Sequence, residues 1–198
     1  MSELSEQHEL HTSGFLLDAR GNVTQVGWSR QPLLDCNLEQ ANFYRLRSLQ
    51  PFRIKRWDYY GVTTPSFYFS VTLADLGYAG QAFAYFVDFE QGQHTEETVT
   101  IPFGSGMRLP RNSMEGESIY QKGSLKIQFV VRPEERHLMV EWPGFSGKDL
   151  VADLKMNLPS HHESMVIVIP FTRGRCFYIS KGELYPGGRL GGGWGRAI

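Results

Sequence analysis

The strongest constraint on the fold is an alternation of apolar and polar side chains in three consecutive segments between residues 52 and 90. The odd positions are apolar from 67 to 73 and again from 83 to 89, and the even positions of 52–60 begin apolar and turn charged. A period of two places successive side chains on opposite faces of a strand. We therefore predict three strands that each bury one face, separated by glycine-containing turns.

Shorter segments of the same kind follow, and 165–171 is apolar on both faces, as in a doubly covered strand. The pattern predicts about nine to eleven short strands, which is typical of an all-β antiparallel sandwich or barrel. Only 38–49 has a spacing that supports a short helix, and 104–116 is predicted to be a long loop. The other strands are expected at 98–103, 125–131, 138–142, 150–158 and 175–180.

The pattern predicts a single domain with loose ends. Residues 1–12 are polar and aperiodic, and 181–198 is rich in glycine, so both are predicted to be flexible tails around a β-rich domain at 13–180. A short hairpin is expected within 15–28, because two apolar segments flank a turn-like spacer.

Composition excludes several classes of function. Apolar residues make up 41% of the 198 residues and the net charge is −1, which indicates a globular chain without the field that draws proteins to nucleic acid. No run of about 18 apolar residues predicts a membrane span, and no apolar leader is visible, so a cytoplasmic location is expected. Cys36 and Cys176 are predicted to be buried thiols. No motif predicts a metal site or a cofactor.

Two carboxylates stand out as candidate acids, Asp58 and Asp75. Arg56 and Asp58 point the same way from one strand, so they can orient a polar ligand group or act in acid–base chemistry. The alternative is a structural ion pair. Asp75 precedes a glycine turn, where a turn-capping role is the alternative.

The aromatic side chains give a second set of candidates. They could line an apolar pocket, although aromatic residues in strands are often packing residues. A basic cluster around Trp57 that includes Arg45, Arg47 and Arg56 could contact an anion, and a solvated surface is the alternative. The predicted ligand-binding residues are Arg56, Asp58, Tyr60, Phe67, Phe69 and Tyr85.

Four segments resemble the signature of domain-of-unknown-function family 2804. They read WSRQPLLD at 28–35, IKRWDYY at 54–60, ADLGYAG at 74–80 and SMVI at 164–167. That family is similar to lipocalin-like proteins that include carotenoid hydratases, which implies a calycin-like β-barrel with an apolar cavity. Family members are usually longer, so the resemblance also implies that this chain corresponds to the N-terminal half and has an incomplete sheet.

Three functional hypotheses follow. The first is a non-enzymatic protein that binds a hydrophobic or lipid-like small molecule, held by apolar strand faces and a few polar anchors. The second is a hydratase or isomerase that protonates an alkene through Asp58 or Asp75, which needs a carboxyl group kept neutral by burial. The third is an inactive truncated form with an exposed sheet edge.

Overall fold

The structure, a computed structural model, describes residues 7–159, 162–172, 175–184 and 189–197. Strands dominate these residues, and two short 3₁₀ helices at Leu38–Gln40 and Arg47–Phe52 lie before the long strands. The strands are β1 (Gly14–Phe15), β2 (Gly27–Ser29), β3 (Leu34–Asp35), β4 (Lys55–Thr63), β5 (Phe67–Asp75), β6 (Ala79–Asp88), β7 (Gln93–Pro102), β8 (Gly116–Lys122), β9 (Leu125–Arg132), β10 (Glu135–Phe145), β11 (Lys148–Asn157), β12 (Ser164–Thr172), β13 (Arg175–Leu184) and β14 (Arg189–Ala197).

The long strands form two antiparallel sheets. The larger has eight strands in the order β2-β12-β13-β14-β4-β5-β6-β7, and the smaller has four in the order β11-β10-β9-β8. A short parallel pair joins β1 to β3. Across the described residues neither sheet closes into a barrel, and a sandwich-like arrangement fits. The prediction of an all-β antiparallel fold is confirmed.

The core between the two sheets is formed by the apolar faces of alternating strands, including those predicted between residues 52 and 90. Val71 and Leu73 of β5 project from the large sheet and are fully buried against Ile127 and Phe129 of β9 and Val140 of β10. Turns of three residues join β4 to β5 and β5 to β6, so each strand pairs with the next along the chain. The three predicted central strands are thus confirmed, with bounds shifted by a few residues.

A second core lies under the N-terminal segment. Leu16 and Leu17 pack against Val166 and Val168 of β12 and Tyr178 of β13. The four-stranded sheet therefore covers one part of a face of the large sheet, and the N-terminal segment covers another part of the same face. We call these two elements the covers of the large sheet.

The N-terminal segment differs in part from the sequence expectation. Residues 1–6 of the predicted tail lie outside the described residues, but Glu9 forms a bridge with Trp28 and Leu10 is buried. The expected hairpin is reduced to one bridge between Leu17 and Val23, because β1 pairs with β3 and β2 pairs with β12. The expected helix at 38–49 is replaced by the two 3₁₀ helices. The loop predicted at 104–116 is followed directly by β8, a strand that the alternation of side chains did not predict.

The prediction of a flexible glycine-rich end at 181–198 is wrong for the part that the structure describes. Residues 181–184 continue β13, and β14 pairs along its length with β13 on one side and β4 on the other. Glycine has no side chain to alternate, so the periodicity that marks a strand is missing. Trp57 of β4 and Phe177 of β13 meet across this strand, with ring centroids 6.4 Å apart, because small residues separate them.

A chain that ends at Leu184 tests the place of β14. We expect faster backbone hydrogen exchange in Lys55–Thr63, because β4 loses a hydrogen-bonding neighbour, while Ala79–Asp88 in β6 keeps its two partners. Hydrogen-exchange mass spectrometry measures both peptides. The full-length Arg196→Met variant separates loss of the strand from loss of the Arg196 side chain. Equal exchange of Lys55–Thr63 in the shortened and complete chains would contradict the assignment.

Candidate ligand-binding cleft

A cleft of about 520 Å³ opens where the two covers of the large sheet meet. Its floor comes from the sheet, one wall from the N-terminal segment with the two 3₁₀ helices, and the other wall from the loop between β7 and β8. The lining residues are Cys36, Leu38, Glu39, Arg47, Gln50, Pro51, Ile54, Arg56, Asp75, Leu109, Pro110, Arg111 and Arg196. Four of these side chains are arginines and two are carboxylates.

The floor is one cross-strand row of charged side chains. Arg196 of β14 lies directly opposite Arg56 of β4, and Arg56 lies opposite Asp75 of β5. Arg56 and Asp75 form an ion pair through Nη2 and Oδ2. The other oxygen, Asp75 Oδ1, accepts a hydrogen bond of 2.8 Å from the backbone N–H of Gly77. The turn-capping role considered for Asp75 is confirmed, and the same side chain also faces the cleft.

Arg196 is the buried member of the floor row and is held by several contacts. Its Nη1 lies 3.2 Å from Asp58 Oδ1 and donates to the carbonyl of Trp57 at 2.9 Å, while Nη2 donates to the carbonyl of Pro110 at 2.8 Å. Ser118 of β8 donates to the other oxygen of Asp58. Burial lowers the pKa of Arg196, and the nearby Asp58 carboxylate opposes that shift. This cluster connects the large sheet, the small sheet and the cleft wall.

The rim carries two more arginines. Arg111 is held by Asp35 and by Glu39, whose Oε1 lies 2.8 Å from Arg111 Nη1. Arg47 donates to the backbone carbonyl of Glu39 at 3.3 Å. Within the described part of the chain, no carboxylate forms an ion pair with Arg47, which is exposed at the cleft mouth.

The walls are mainly apolar. Leu38 and Ile54 belong to the core under the N-terminal segment, and Leu109 packs against the core between the sheets. Burial raises the pKa of the Cys36 thiol to about 12 and that of Cys176 to about 11, so both stay protonated at neutral pH. Both thiols are free and buried, as predicted, and Cys36 adds apolar surface to the wall.

The predicted site residues are divided between the cleft and the core. Arg56 and Asp58 share a face of β4 but pair with different partners, namely Asp75 and Arg196. Tyr60 packs in the core with its ring centroid 5.0 Å from that of Phe129. There, burial is the main cause that raises the pKa of Tyr60.

The other three aromatic candidates do not line the cleft. Phe69 is buried between the sheets, and Phe67 stacks on Phe86 at 5.5 Å. Tyr85 points to the opposite face of the sheet and stacks on His94 at 5.9 Å. The structure therefore brings Arg56 and Asp75 to the cleft, places Asp58 beside its floor and under the small sheet, and puts the aromatic residues elsewhere.

Sequence reasoning missed Arg111 and Arg196 as cleft residues. Arg111 lies in a loop and Arg196 in a glycine-rich strand, so neither sits in a motif of fixed spacing. Arg47 was recognised as a member of a basic cluster, which is the only local signal that pointed toward this rim.

None of the helical segments in the described residues has the length and apolarity that a membrane crossing requires. No group of three or more His, Cys, Asp or Glu side chains in the same residues could hold a metal ion.

The fold and the site define an all-β sandwich protein with an arginine-lined cleft at the seam between two covers of its large sheet. The family model described as "Domain of unknown function (DUF2804)" matches residues 7–187 of the 198-residue chain, so the chain belongs to this family. No curated protein and no solved structure matches the chain. The remoter similarity to carotenoid hydratases stays a prediction.

The turn after Asp75 supports one cleft wall and can be tested with two glycine variants. Gly77 has φ +81, and a Cβ there would lie 2.0 Å from the carbonyl oxygen of Pro51. Gly92 has φ +63 with nothing within 4 Å. Both alanine variants strain the backbone, but only Gly77→Ala displaces Pro51. We expect Gly77→Ala to lower the free energy of unfolding by about 2 kcal/mol more than Gly92→Ala. Urea denaturation gives both values, and equal losses would contradict the contact.

The buried pair of Asp58 and Arg196 makes a separate prediction. Arg196→Met leaves the Asp58 carboxylate buried without its cation, so we expect the free energy of unfolding to fall by about 3–5 kcal/mol. Arg30→Met is the control, because Arg30 forms its ion pairs with Glu9 and Glu163 at the surface, where such pairs contribute little. Urea denaturation measures both variants. Similar small losses in the two would show that the buried pair is not a major source of stability.

Proposed function

We propose that this protein binds an apolar small molecule in the cleft between the two covers of its large sheet. The observation that carries the proposal is the cleft itself, which has a volume of about 520 Å³, mainly apolar walls and a few charged groups on its floor. Small-molecule sites commonly have volumes of about 300–1,000 Å³ and combine apolar walls with a few polar anchors.

The side chains of the floor support this function in different ways. Arg56 faces the cleft and has N–H donors beyond the one that pairs with Asp75. Asp58 acts from beside the floor, where it holds Arg196 in place. Tyr60, packed against the second sheet, supports the strand that carries both Arg56 and Asp58. In this proposal the apolar body of the ligand contacts the walls, and the floor orients its polar end.

The contacts of the candidate acids favour binding over alkene protonation. A hydratase would need Asp58 or Asp75 to hold and deliver a proton. Both side chains instead accept hydrogen bonds from an arginine and from a second donor, which is Ser118 for Asp58 and the Gly77 N–H for Asp75. These contacts suit groups that position arginines.

Titration with the neutral apolar dye Nile red tests the site. We expect the full chain to bind the dye and Leu109→Asn to weaken binding roughly tenfold, because the substitution removes apolar surface from one wall. Leu49→Asn is the matched control, since Leu49 is exposed on the second 3₁₀ helix and does not line the cleft. Fluorescence gives the three dissociation constants.

Extraction of the folded, purified protein with organic solvent gives an independent result. We expect mass spectrometry to detect an apolar molecule that co-purifies with the wild type and is depleted in Leu109→Asn. Failure of the wild type both to bind Nile red and to carry any apolar molecule would refute the binding function. Dye binding that is equal in Leu109→Asn and Leu49→Asn would place the site elsewhere.

A further inference from the structure

We infer that the cleft selects apolar molecules that end in an oxyanion, either a carboxylate or a phosphate. This inference rests on the proposed binding function and adds the chemical class of the ligand. Its basis is the arrangement of four arginines around one apolar cleft.

The first observation is the opposition of two arginines on the floor. Arg56 and Arg196 are direct partners in the register between β4 and β14, and both line the cleft. Like charges placed opposite each other across two strands destabilise a sheet. The neighbourhood of Arg56 also contributes to lowering the pKa of Arg196, after the larger effect of burial. An oxyanion above the floor would reduce this repulsion.

The second observation is the number of unused donors. A guanidinium has five N–H donors arranged to match the oxygens of a carboxylate or phosphate. Arg56 donates one to Asp75, and Arg47 donates one to a backbone carbonyl. Arg111 engages its two carboxylates through Nε and Nη1. These three side chains therefore have further donors for a ligand, and their existing contacts hold Arg56 and Arg111 in place.

The third observation is that Arg47 stands at the mouth of the cleft without an ion pair to any carboxylate of the described residues. The carboxylates of Asp35, Glu39, Asp58 and Asp75 are already committed to Arg56, Arg111 and Arg196. A cation beside an apolar cavity is complemented by an oxyanion on an apolar ligand. Arg47 is therefore the rim residue that we expect to favour such a ligand over a neutral one.

Three probes with the same twelve-carbon chain test the inference, namely dodecanoate, dodecyl phosphate and 1-dodecanol. Each is titrated at about 0.15 M salt, where charges separated by more than about 8 Å are screened, with displacement of Nile red as the signal. We expect one or both oxyanions to bind at least about tenfold more tightly than the alcohol. The tighter of the two identifies the headgroup.

Arginine variants locate the selectivity. Arg47→Gln should weaken oxyanion binding about fivefold, and Arg56→Gln about tenfold, with little effect on 1-dodecanol. Arg45→Gln is the matched control, because Arg45 is exposed in the same segment and does not line the cleft. Arg47→Gln removes no ion pair, so the test survives even where Arg56→Gln disturbs folding.

The outcomes separate this inference from the function on which it rests. Equal binding of all three probes would overturn the oxyanion inference and leave the apolar site intact. An equal loss in Arg45→Gln and Arg47→Gln would also overturn it, because the effect would then be general charge. Absence of Nile red binding, together with absence of a co-purifying apolar molecule, would overturn the proposed function itself.

Discussion

The buried contact between Asp58 and Arg196 is the interaction on which the arrangement of the protein depends. Asp58 is 4% exposed and Arg196 2%, so each buried charge needs the opposite charge that lies beside it. Through hydrogen bonds to Ser118 and to the Pro110 carbonyl, the pair joins β4 and β14 to the small sheet and to the loop that walls the cleft. One ionic contact therefore positions three parts of the molecule.

The cleft follows from this arrangement. The small sheet and the N-terminal segment are two separate covers on one face of the large sheet, each with its own apolar core. Where the covers meet, the row that contains Arg196, Arg56 and Asp75 faces a cavity between them. Arg56 and Asp75 are tolerated here because they are paired and partly solvated, whereas the buried Arg196 is tolerated because Asp58 and two backbone carbonyls accept its hydrogen bonds.

The aromatic residues have a structural part in this design. Tyr60 and Phe69 fill the space between the sheets, and Trp57 contacts Phe177 across the glycine-rich strand on the opposite face. These contacts hold β4 against the small sheet on one face and against β13, across β14, on the other. The proposed ligand site accordingly uses apolar walls from loops and 3₁₀ helices, while the aromatic strand faces stabilise its floor.

The sequence by itself determined the class of the fold and most of its strands. Alternating side chains can satisfy one buried and one exposed face only as strands, so β5, β6, β9 and β10 were predictable from local pattern. It also determined the turn at Asp75, because a carboxylate two residues before a glycine can cap the turn locally. The family model covers this central region together with most of the rest of the chain.

Only the tertiary structure decided the place of β14 and the composition of the cleft. Glycines have no side chains to alternate, so this strand is defined by the backbone groups of β13 and β4 that pair with it. Arg196 and Asp58 lie 138 residues apart in the chain, and the floor residue Arg56 and the rim residue Arg111 come from a strand and a distant loop. Local pattern cannot encode such contacts, because they arise when distant strands are placed in register within one sheet.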